Sequence, residues 1–341
     1  MKIVTFGEIM LRLKSIQNER LFQSPLLEAT FGGGEANVAV ALSHLGLDTE
    51  FVTLLPKNTI GDCCKNTLRY HNVGTNFIKQ TSDRLGIYFI EAGANQRPSK
   101  VVYDRADSAI SKIDDDQLDW DNIFSDAAWF HVSGITPAIS EGAALQAILA
   151  MKKAKKNNVT ISCDLNFRKK LWKYGKSAQD IMPILARYAD VLIGNEEDFQ
   201  KSLGYENDSN VEGGELDKTS YLKMCEKIFN DYPNVKKIGI TLRESFSANH
   251  NDWSALLATR DAAYFSKKYS INDIVDRVGA GDSFSAGLIF GLSQNYSVQE
   301  SLDYAVALSC LKHSIVGDFS LTTKDELIQL VNGNGTGRVQ R

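Results

Sequence analysis

Near its carboxyl end the chain reads DRVGAGDSFSAG, residues 276–287. Gly279 and Gly281 lack a Cβ, so the backbone here can turn its N–H groups toward one point and let a ligand come close. The small and apolar residues after Asp282 predict that a helix begins there. Free N–H groups and the helix dipole would then face the same point, which suits an anion such as a transferring phosphate.

A carboxylate beside such a site is poorly suited to hold an anion, but it can accept a proton from an incoming hydroxyl. Positioned acid–base groups typically contribute about 10²–10⁴-fold to a rate. Asp282 is therefore a candidate general base. The backbone groups beside it belong to Gly279, Ala280 and Gly281. The structural alternative is that Asp282 only caps a helix after a glycine turn.

Two other segments carry similar signals. FGGGEANVAVALSHLG, residues 31–46, has three glycines before a predicted helix that carries Asn37, and its structural alternative is a tight strand–helix turn. GNEED, residues 194–198, follows a predicted strand and brings Asn195, Glu197 and Asp198 to the strand end. Carboxylates at that edge could organise Mg²⁺, often through water. A charged first helical turn, favoured by the helix dipole, is the structural alternative for them.

Short apolar runs such as residues 159–166 and 235–242 alternate with helical patterns along most of the chain. This alternation predicts an α/β fold, with a doubly wound, mainly parallel sheet and helices on both faces. Residues of about 8–31 and 75–107 read as strands without helices between them, and we expect them to form a small β-sheet lid. We expect one domain over 1–330 and a disordered tail over 331–341.

Composition narrows the classes of function. The 341 residues carry 38 basic and 42 acidic side chains, a net charge of −4 that argues weakly against a nucleic-acid partner. Apolar runs all fall short of the roughly 18 residues of a membrane span. The five scattered cysteines lack C-x-x-C spacing, so we expect free thiols and a cytoplasmic location.

Taken together, the segments at 31–46, 194–198 and 276–287 resemble the two signatures and the middle motif of the ribokinase-like (PfkB) sugar kinases, in the same order. The resemblance runs from about residue 1 to about residue 330. It implies ATP with Mg²⁺, a base at Asp282, and stabilisation of the migrating phosphoryl group by the backbone at 279–281. It also implies a homo-oligomer, a dimer or higher, formed through the lid, and leaves open a monovalent cation near Asp276.

The chain departs from that pattern at three points. The family usually has Glu where Asp198 stands, so Glu197 could take over the binding of the metal. The family also usually has Thr-Thr where this chain has Arg277 and Val278, and it often has Gly where this chain has Arg243. Within the resemblance, the metal residues would be Glu197 and Asp198. The expected ATP contacts are Asn166, Asn195, Thr241, Arg243, Gly279 and Gly281.

Several residues point to an acidic sugar. Arg168 follows a predicted strand end in SCDLNFRKKLW, and Tyr103 and Arg105 belong to the predicted lid. A planar guanidinium suits a carboxylate, although surface ion pairs are the structural alternative for both arginines. These segments are similar to those of 2-keto-3-deoxygluconate kinases. That likeness implies sugar contacts from Gly34, Asn37, Tyr88, Tyr103, Arg105 and Arg168.

The expected activity is ATP-dependent phosphorylation of 2-keto-3-deoxygluconate on its terminal (C6) hydroxyl, which gives 2-keto-3-deoxy-6-phosphogluconate. The nearest alternative is a kinase for a neutral sugar, of the fructokinase or ribokinase type. A non-catalytic sugar or nucleotide sensor is a further alternative, against which the intact Gly-Ala-Gly-Asp argues, because a binding protein needs no base.

Overall fold

The computed structural model describes residues 1–114, 117–205, 218–333 and 335. Its strands are β1 Lys2–Phe6, β2 Met10–Ser15, β3 Leu27–Gly32, β4 Asp48–Pro56, β5 Ile78–Thr81, β6 Ile87–Glu91, β7 Lys100–Asp104, β8 Ala127–Ser133, β9 Thr160–Asp164, β10 Val191–Gly194, β11 Lys237–Ser245, β12 Asn251–Ala258, β13 Ala263–Phe265 and β14 Tyr269–Ile271. Its helices are α1 Gly34–His44, α2 Thr59–Tyr70, α3 Trp120–Ile123, α4 Ile135–Ile139, α5 Glu141–Lys156, α6 Ala178–Ala186, α7 Glu196–Leu203, α8 Lys218–Asp231, α9 Ala280–Ser293, α10 Val298–Lys312 and α11 Lys324–Val331.

The large sheet has the strand order β13-β12-β11-β10-β9-β8-β1-β4-β5, and β14 pairs with β12. Pairing is parallel from β5 through to β11, and β12 joins that edge in the antiparallel direction. Two buried apolar clusters flank it: one holds residues of α5, α6 and α8, and the other residues of α1, α9 and α10. The predicted α/β fold, with helices on both faces of a mainly parallel sheet, is confirmed.

A second sheet, which we call the lid sheet, has the order β3-β2-β6-β7. Strands β2 and β3 are inserted between β1 and α1, while β6 and β7 lie between β5 and β8 in the chain. The predicted separate small sheet is thus confirmed. Residue 334 and residues 336–341 of the expected tail lie outside the described residues.

Two glycines allow the loops before α1 and α9 to approach neighbouring backbone. A Cβ on Gly33 would lie 2.0 Å from the carbonyl oxygen of Glu8. Gly279 has a φ of 84°, in the left-handed region that favours glycine, and a Cβ there would lie 2.1 Å from the carbonyl oxygen of Asp318. Because glycine has no Cβ, the amino ends of both helices can lie directly against this backbone. Within the described residues, no helix combines the length and apolarity that a membrane span requires.

Candidate active site

A cleft of about 480 Å³ opens between the carboxyl edge of the large sheet and the lid sheet. Every residue that the sequence predicted for base, sugar, nucleotide or metal lines this one cleft, although these residues are spread over most of the chain. They are Gly34, Asn37, Tyr88, Tyr103, Arg105, Asn166, Arg168, Asn195, Glu197, Asp198, Thr241, Arg243, Gly279, Ala280, Gly281 and Asp282. The structure thus brings the separate motifs together around one cleft.

Asp282 lies in the first turn of α9, on the floor of the cleft. The residue that caps α9 is Gly279, and no side chain caps this helix, so Asp282 is not an N-cap. Its Oδ2 accepts a hydrogen bond of 2.7 Å from Asn37 Nδ2, and Asn37 Oδ1 in turn accepts from the Gly33 N–H at 3.1 Å. The Asn37 amide is therefore held in one orientation. Oδ1 of Asp282 accepts no hydrogen bond from the described residues, and it lies 3.7 Å from where a Cβ on the cleft residue Gly34 would be.

Burial raises the pKa of Asp282 to about 6. The hydrogen bond from Asn37 acts in the opposite direction, as do the charges of Arg168 and Lys312, while the charge of Asp318 adds to the rise. A carboxyl group with this pKa is mostly ionised at neutral pH, yet it is more basic than an ordinary aspartate. Both properties suit a general base.

Three of the carboxyl groups that line the cleft lie at or just after the ends of β9 and β10: Asp164, Glu197 and Asp198. Burial, followed by the charges of Asp198 and Asp282, raises the pKa of Asp164 well above its usual range. Asp198 has a structural role, because its two carboxylate oxygens accept hydrogen bonds from the N–H groups of Phe167 at 2.7 Å and Asn195 at 2.8 Å. The exposed carboxylate of Glu197 makes no hydrogen bond or ion pair with the described residues. Of the two predicted metal residues, Glu197 is therefore the more available to bind a cation.

This acidic edge fits a Mg²⁺ ion carried with a nucleotide. Repulsion among the carboxylates is what a divalent cation would relieve. The described residues contain no cluster of three or more His, Cys, Asp or Glu side chains that could hold a metal by themselves. Mg²⁺ needs no such cage, because it usually keeps several waters and is bound by one or two carboxylates plus substrate phosphates.

The arginines of the cleft differ in their pairing. Arg168 is exposed, and within the described ranges no carboxylate lies at ion-pair distance from it. Its guanidinium donates a hydrogen bond to the Phe167 carbonyl oxygen at 3.2 Å. Arg105 is buried, donates to the Glu8 carboxylate, and lies 5.5 Å from the centre of the Tyr103 ring. Arg168 is therefore the more available cation for an acidic ligand.

Tyr88, the remaining predicted lid contact, donates its hydroxyl to Oδ2 of Asp318 at 2.6 Å. Burial and the charge of Asp318 raise its pKa well above the usual range, so this hydroxyl stays protonated. Its ring lies 6.3 Å from that of Tyr103, measured between centres. The two rings form one wall of the cleft, and Tyr88 is fixed before any ligand binds.

Sequence reasoning missed two residues at the other end of the cleft. Thr241 and Arg243 on β11 are joined there by Asn251 and Trp253 from β12. In the described part of the structure, Asn251 Oδ1 and Trp253 Nε1 are buried polar atoms without a partner. Arg277 also faces this end, and burial together with the charge of Arg243 lowers its pKa. Neighbouring positive charges favour an anion such as a nucleotide phosphate.

Comparison with known proteins identifies relatives of the whole chain. A family model described as "pfkB family carbohydrate kinase" matches residues 1–320. The crystal structure of a 2-dehydro-3-deoxygluconokinase from Thermotoga maritima is 46% identical in sequence. It superimposes with a TM-score of 0.92, over 98% of this chain and 100% of that one.

Two further relatives differ in the sugar that they are named for. A 2-dehydro-3-deoxygalactonokinase from Haloferax volcanii is 32% identical, over 98% of each chain. A 5-dehydro-2-deoxygluconokinase from Clostridium beijerinckii is 24% identical, over 91% of this chain and 86% of the relative. All three names describe kinases of oxidised deoxy sugars.

Proposed function

The chain belongs to the pfkB family of carbohydrate kinases, and from this premise we propose that it phosphorylates 2-keto-3-deoxygluconate on its C6 hydroxyl. ATP is the phosphoryl donor, and 2-keto-3-deoxy-6-phosphogluconate and ADP are the products. One observation carries the proposal: a single cleft contains a partly free, basic carboxylate at the amino end of a helix and a guanidinium without a carboxylate partner in the described structure.

In this mechanism Asp282 Oδ1 accepts the proton of the C6 hydroxyl. The hydroxyl oxygen forms a bond to the γ-phosphorus of ATP, and the bond from that phosphorus to the bridging oxygen of ADP breaks. Amides at the start of α9, beside Gly279 and Gly281, stabilise charge on the migrating group. Bound Mg²⁺, held near Glu197, would neutralise phosphate charge. Transfer of this kind depends mostly on positioning and charge neutralisation.

The acidic end of the sugar is assigned to Arg168, with Tyr103 and Arg105 on the lid sheet as neighbours. The two relatives named for 2-dehydro-3-deoxy sugars act, by their names, on the gluconate and galactonate forms, and both sugars carry a carboxylate. These two sugars differ at C4. A guanidinium at the carboxylate end serves either one, so the class of substrate is better supported than the C4 configuration.

A panel of sugars with ADP release as the signal tests the proposal. It contains both 2-keto-3-deoxy sugar acids, gluconate, fructose and ribose. We expect the highest kcat/KM with a 2-keto-3-deoxy sugar acid. Preference for fructose or ribose would instead support a neutral-sugar kinase, and no ADP release with any sugar would support a sensor.

Replacing Arg168 with alanine should raise KM for the sugar acid by about 10–100-fold, because hydrogen bonds to charged groups contribute about 1.5–3 kcal/mol each. KM for a neutral sugar should change little. Steady-state kinetics on both substrates measure this split. Lys169→Ala, which removes the exposed cation next in the chain, is the matched control and should leave both values unchanged. Equal losses for the two substrate classes would contradict carboxylate recognition.

The rate should also depend on pH through Asp282. Its pKa is raised to about 6, so the ionised form required of a base is present above that pH. We expect kcat/KM to be level above pH 7 and to fall as the pH drops through about 6. The dissociation constant of the sugar, measured calorimetrically at the same pH values, should stay nearly constant. An inflection near pH 4, the ordinary aspartate value, would contradict this account.

Assembly through the lid sheet and a cytoplasmic location stay predictions. The lid sheet leaves Val102 on its edge strand β7 more than half exposed, and Phe22, in the loop between β2 and β3, is 71% exposed. Two exposed apolar side chains on one small element are compatible with a subunit contact. Size-exclusion chromatography with light scattering would give the number of subunits.

A further inference from the structure

Two buried cations lie behind the loop that carries the candidate base. Arg12 on β2 is 1% exposed, and its guanidinium donates to Asp276 Oδ2 at 2.5 Å and to Asp318 Oδ1 at 3.0 Å. Lys312, the last residue of α10, has no exposed surface. The loop at 276–282, by which we mean the residues before α9 together with the first three residues of that helix, therefore packs on fixed positive charge.

The Lys312 ammonium is held by oxygen atoms of the kind that bind alkali ions in proteins. Its Nζ donates to two backbone carbonyl oxygens, of Ile315 at 2.9 Å and of Asp276 at 3.5 Å. Backbone carbonyl oxygens are also the groups that replace water around K⁺ in proteins. The Lys312 side chain reaches the first glycine of the loop, because its Cε lies 3.4 Å from where a Cβ on Gly279 would be.

The same contacts join two loops. Asp276 Oδ1 accepts the Val278 N–H at 3.1 Å, and its Oδ2 accepts the Gly317 N–H at 3.2 Å. With Lys312 bridging the carbonyl groups of residues 276 and 315, the loop before α9 is fixed to the segment that follows α10. The amides assigned to the migrating phosphoryl group follow this loop directly, at the start of α9.

A separate K⁺ ion does not fit beside these residues. The carbonyl oxygens of Asp276 and Ile315 already accept from Lys312, and the carboxylates of Asp276 and Asp318 already accept from Arg12. A K⁺ ion among these oxygens would lie close to both cations, and like charges repel strongly in a buried site. Although burial lowers the pKa of Lys312 to about 8, the ammonium form still predominates at neutral pH. The positive charge is thus already present near Asp276.

We propose that the Lys312 ammonium, with Arg12 beside it, permanently replaces a monovalent cation near Asp276, so that this kinase reaches its full rate without K⁺ or Na⁺. Lys312 acts as a positioning residue, through the loop at 276–282. The proposal depends on the kinase activity of the family but not on which sugar is accepted, so its failure and that of the sugar assignment can be told apart.

The first test uses the unmodified enzyme and the sugar that gives the highest ADP release in the panel. ATP is supplied as its Tris salt, and tetramethylammonium chloride keeps the ionic strength constant. Replacing tetramethylammonium with K⁺, Na⁺ or NH₄⁺ should leave kcat unchanged, and K⁺ should leave the Tm unchanged. A several-fold rise in kcat with K⁺ would overturn the proposal.

The second test uses Lys312→Met, which removes the charge and keeps most of the volume. In tetramethylammonium its kcat should fall about tenfold or more, as expected when phosphoryl-stabilising amides are displaced. K⁺ and NH₄⁺ should restore part of kcat and raise the Tm of this variant, while KM for the sugar changes little. Lys156→Met, at the exposed end of α5, is the matched control and should show neither effect.

A loss in Lys312→Met that K⁺ and NH₄⁺ leave unrelieved would show a merely structural lysine and would overturn the proposal. So would a variant with full kcat and no response to cations. If Lys312→Met does not fold, the absence of any K⁺ effect on kcat and Tm of the unmodified enzyme still supports the proposal, and the presence of one rejects it.

Discussion

Replacing Asp282 with asparagine should lower kcat by about 10²–10⁴-fold, the range that positioned acid–base groups contribute. Asparagine has nearly the same shape and can still accept the hydrogen bond that Asn37 donates at 2.7 Å. Sugar binding should therefore survive, and calorimetric titration should give a dissociation constant close to that of the unmodified enzyme. The expected result is a variant that binds its sugar and barely turns over.

The same replacement should make the protein more stable at pH 7.5. The pKa of Asp282 is higher in the folded protein, about 6, than the ordinary 3.8, so ionising it costs free energy that the unfolded chain does not spend. This cost is absent at pH values below the pKa of Asp282 in the unfolded chain, and it is fully present above the pKa of Asp282 in the folded protein. Asparagine removes it, so the free energy of unfolding, measured with urea, should rise at pH 7.5 and match the unmodified protein near pH 4.

Asp325→Asn is the matched control, because Asp325 also lies in the first turn of a helix, α11, but is exposed to solvent. It should change neither kcat nor the pH dependence of stability. Near-normal kcat in Asp282→Asn would reject the role as base. Lower stability at pH 7.5 would reject the view that burial of the charge is costly.

Replacing Arg12 with methionine should reduce the free energy of unfolding by about 3–5 kcal/mol, as is typical when one partner of a buried ion pair is removed. The change leaves the buried carboxylates of Asp276 and Asp318 without their guanidinium partner. Burial already raises the pKa of Asp318, and Arg12 opposes that rise. Without Arg12 the Asp318 carboxyl group should take up a proton more readily, so the deficit should shrink as the pH falls.

Urea unfolding at pH 7.5 and at pH 5.5 measures both parts of this prediction. Arg84→Met is the control, because Arg84 makes a 2.7 Å ion pair with Asp104 in which both side chains are substantially exposed. Exposed pairs contribute about 0–1 kcal/mol, so this variant should lose little at either pH. Similar losses for the two variants, or a deficit in Arg12→Met that is independent of pH, would count against the account.

The fold could be predicted because its signals are local. The apolar runs that became β9 and β11 are short and bounded, and the helix pattern at Glu141–Lys156 has the spacing that buries one face. Parallel strands and covering helices follow from that alternation. The small sheet was also predictable, because strands without helices between them could not join the alternating layer.

The cleft was predictable only where glycine-rich turns or strand ends mark it. Arg12 gave no signal, since in MLRLKS an arginine between two leucines is typical of a strand face exposed to solvent. Its partners are 264 and 306 positions away in the chain. Lys312 at the end of α10 likewise resembles a cation placed to favour the helix dipole. Burial of these charges depends on tertiary contacts that no local pattern records.

The attachment of the lid sheet limits how this sheet can move. Arg12 on β2 and Tyr88 on β6 both bind Asp318, which lies outside the lid sheet in the segment between α10 and α11. Swinging the two inner strands outward would break these bonds and expose a buried guanidinium. The inner strands of the lid sheet should therefore stay in place through every turnover, so the cleft should not open by a rigid swing of the whole lid sheet.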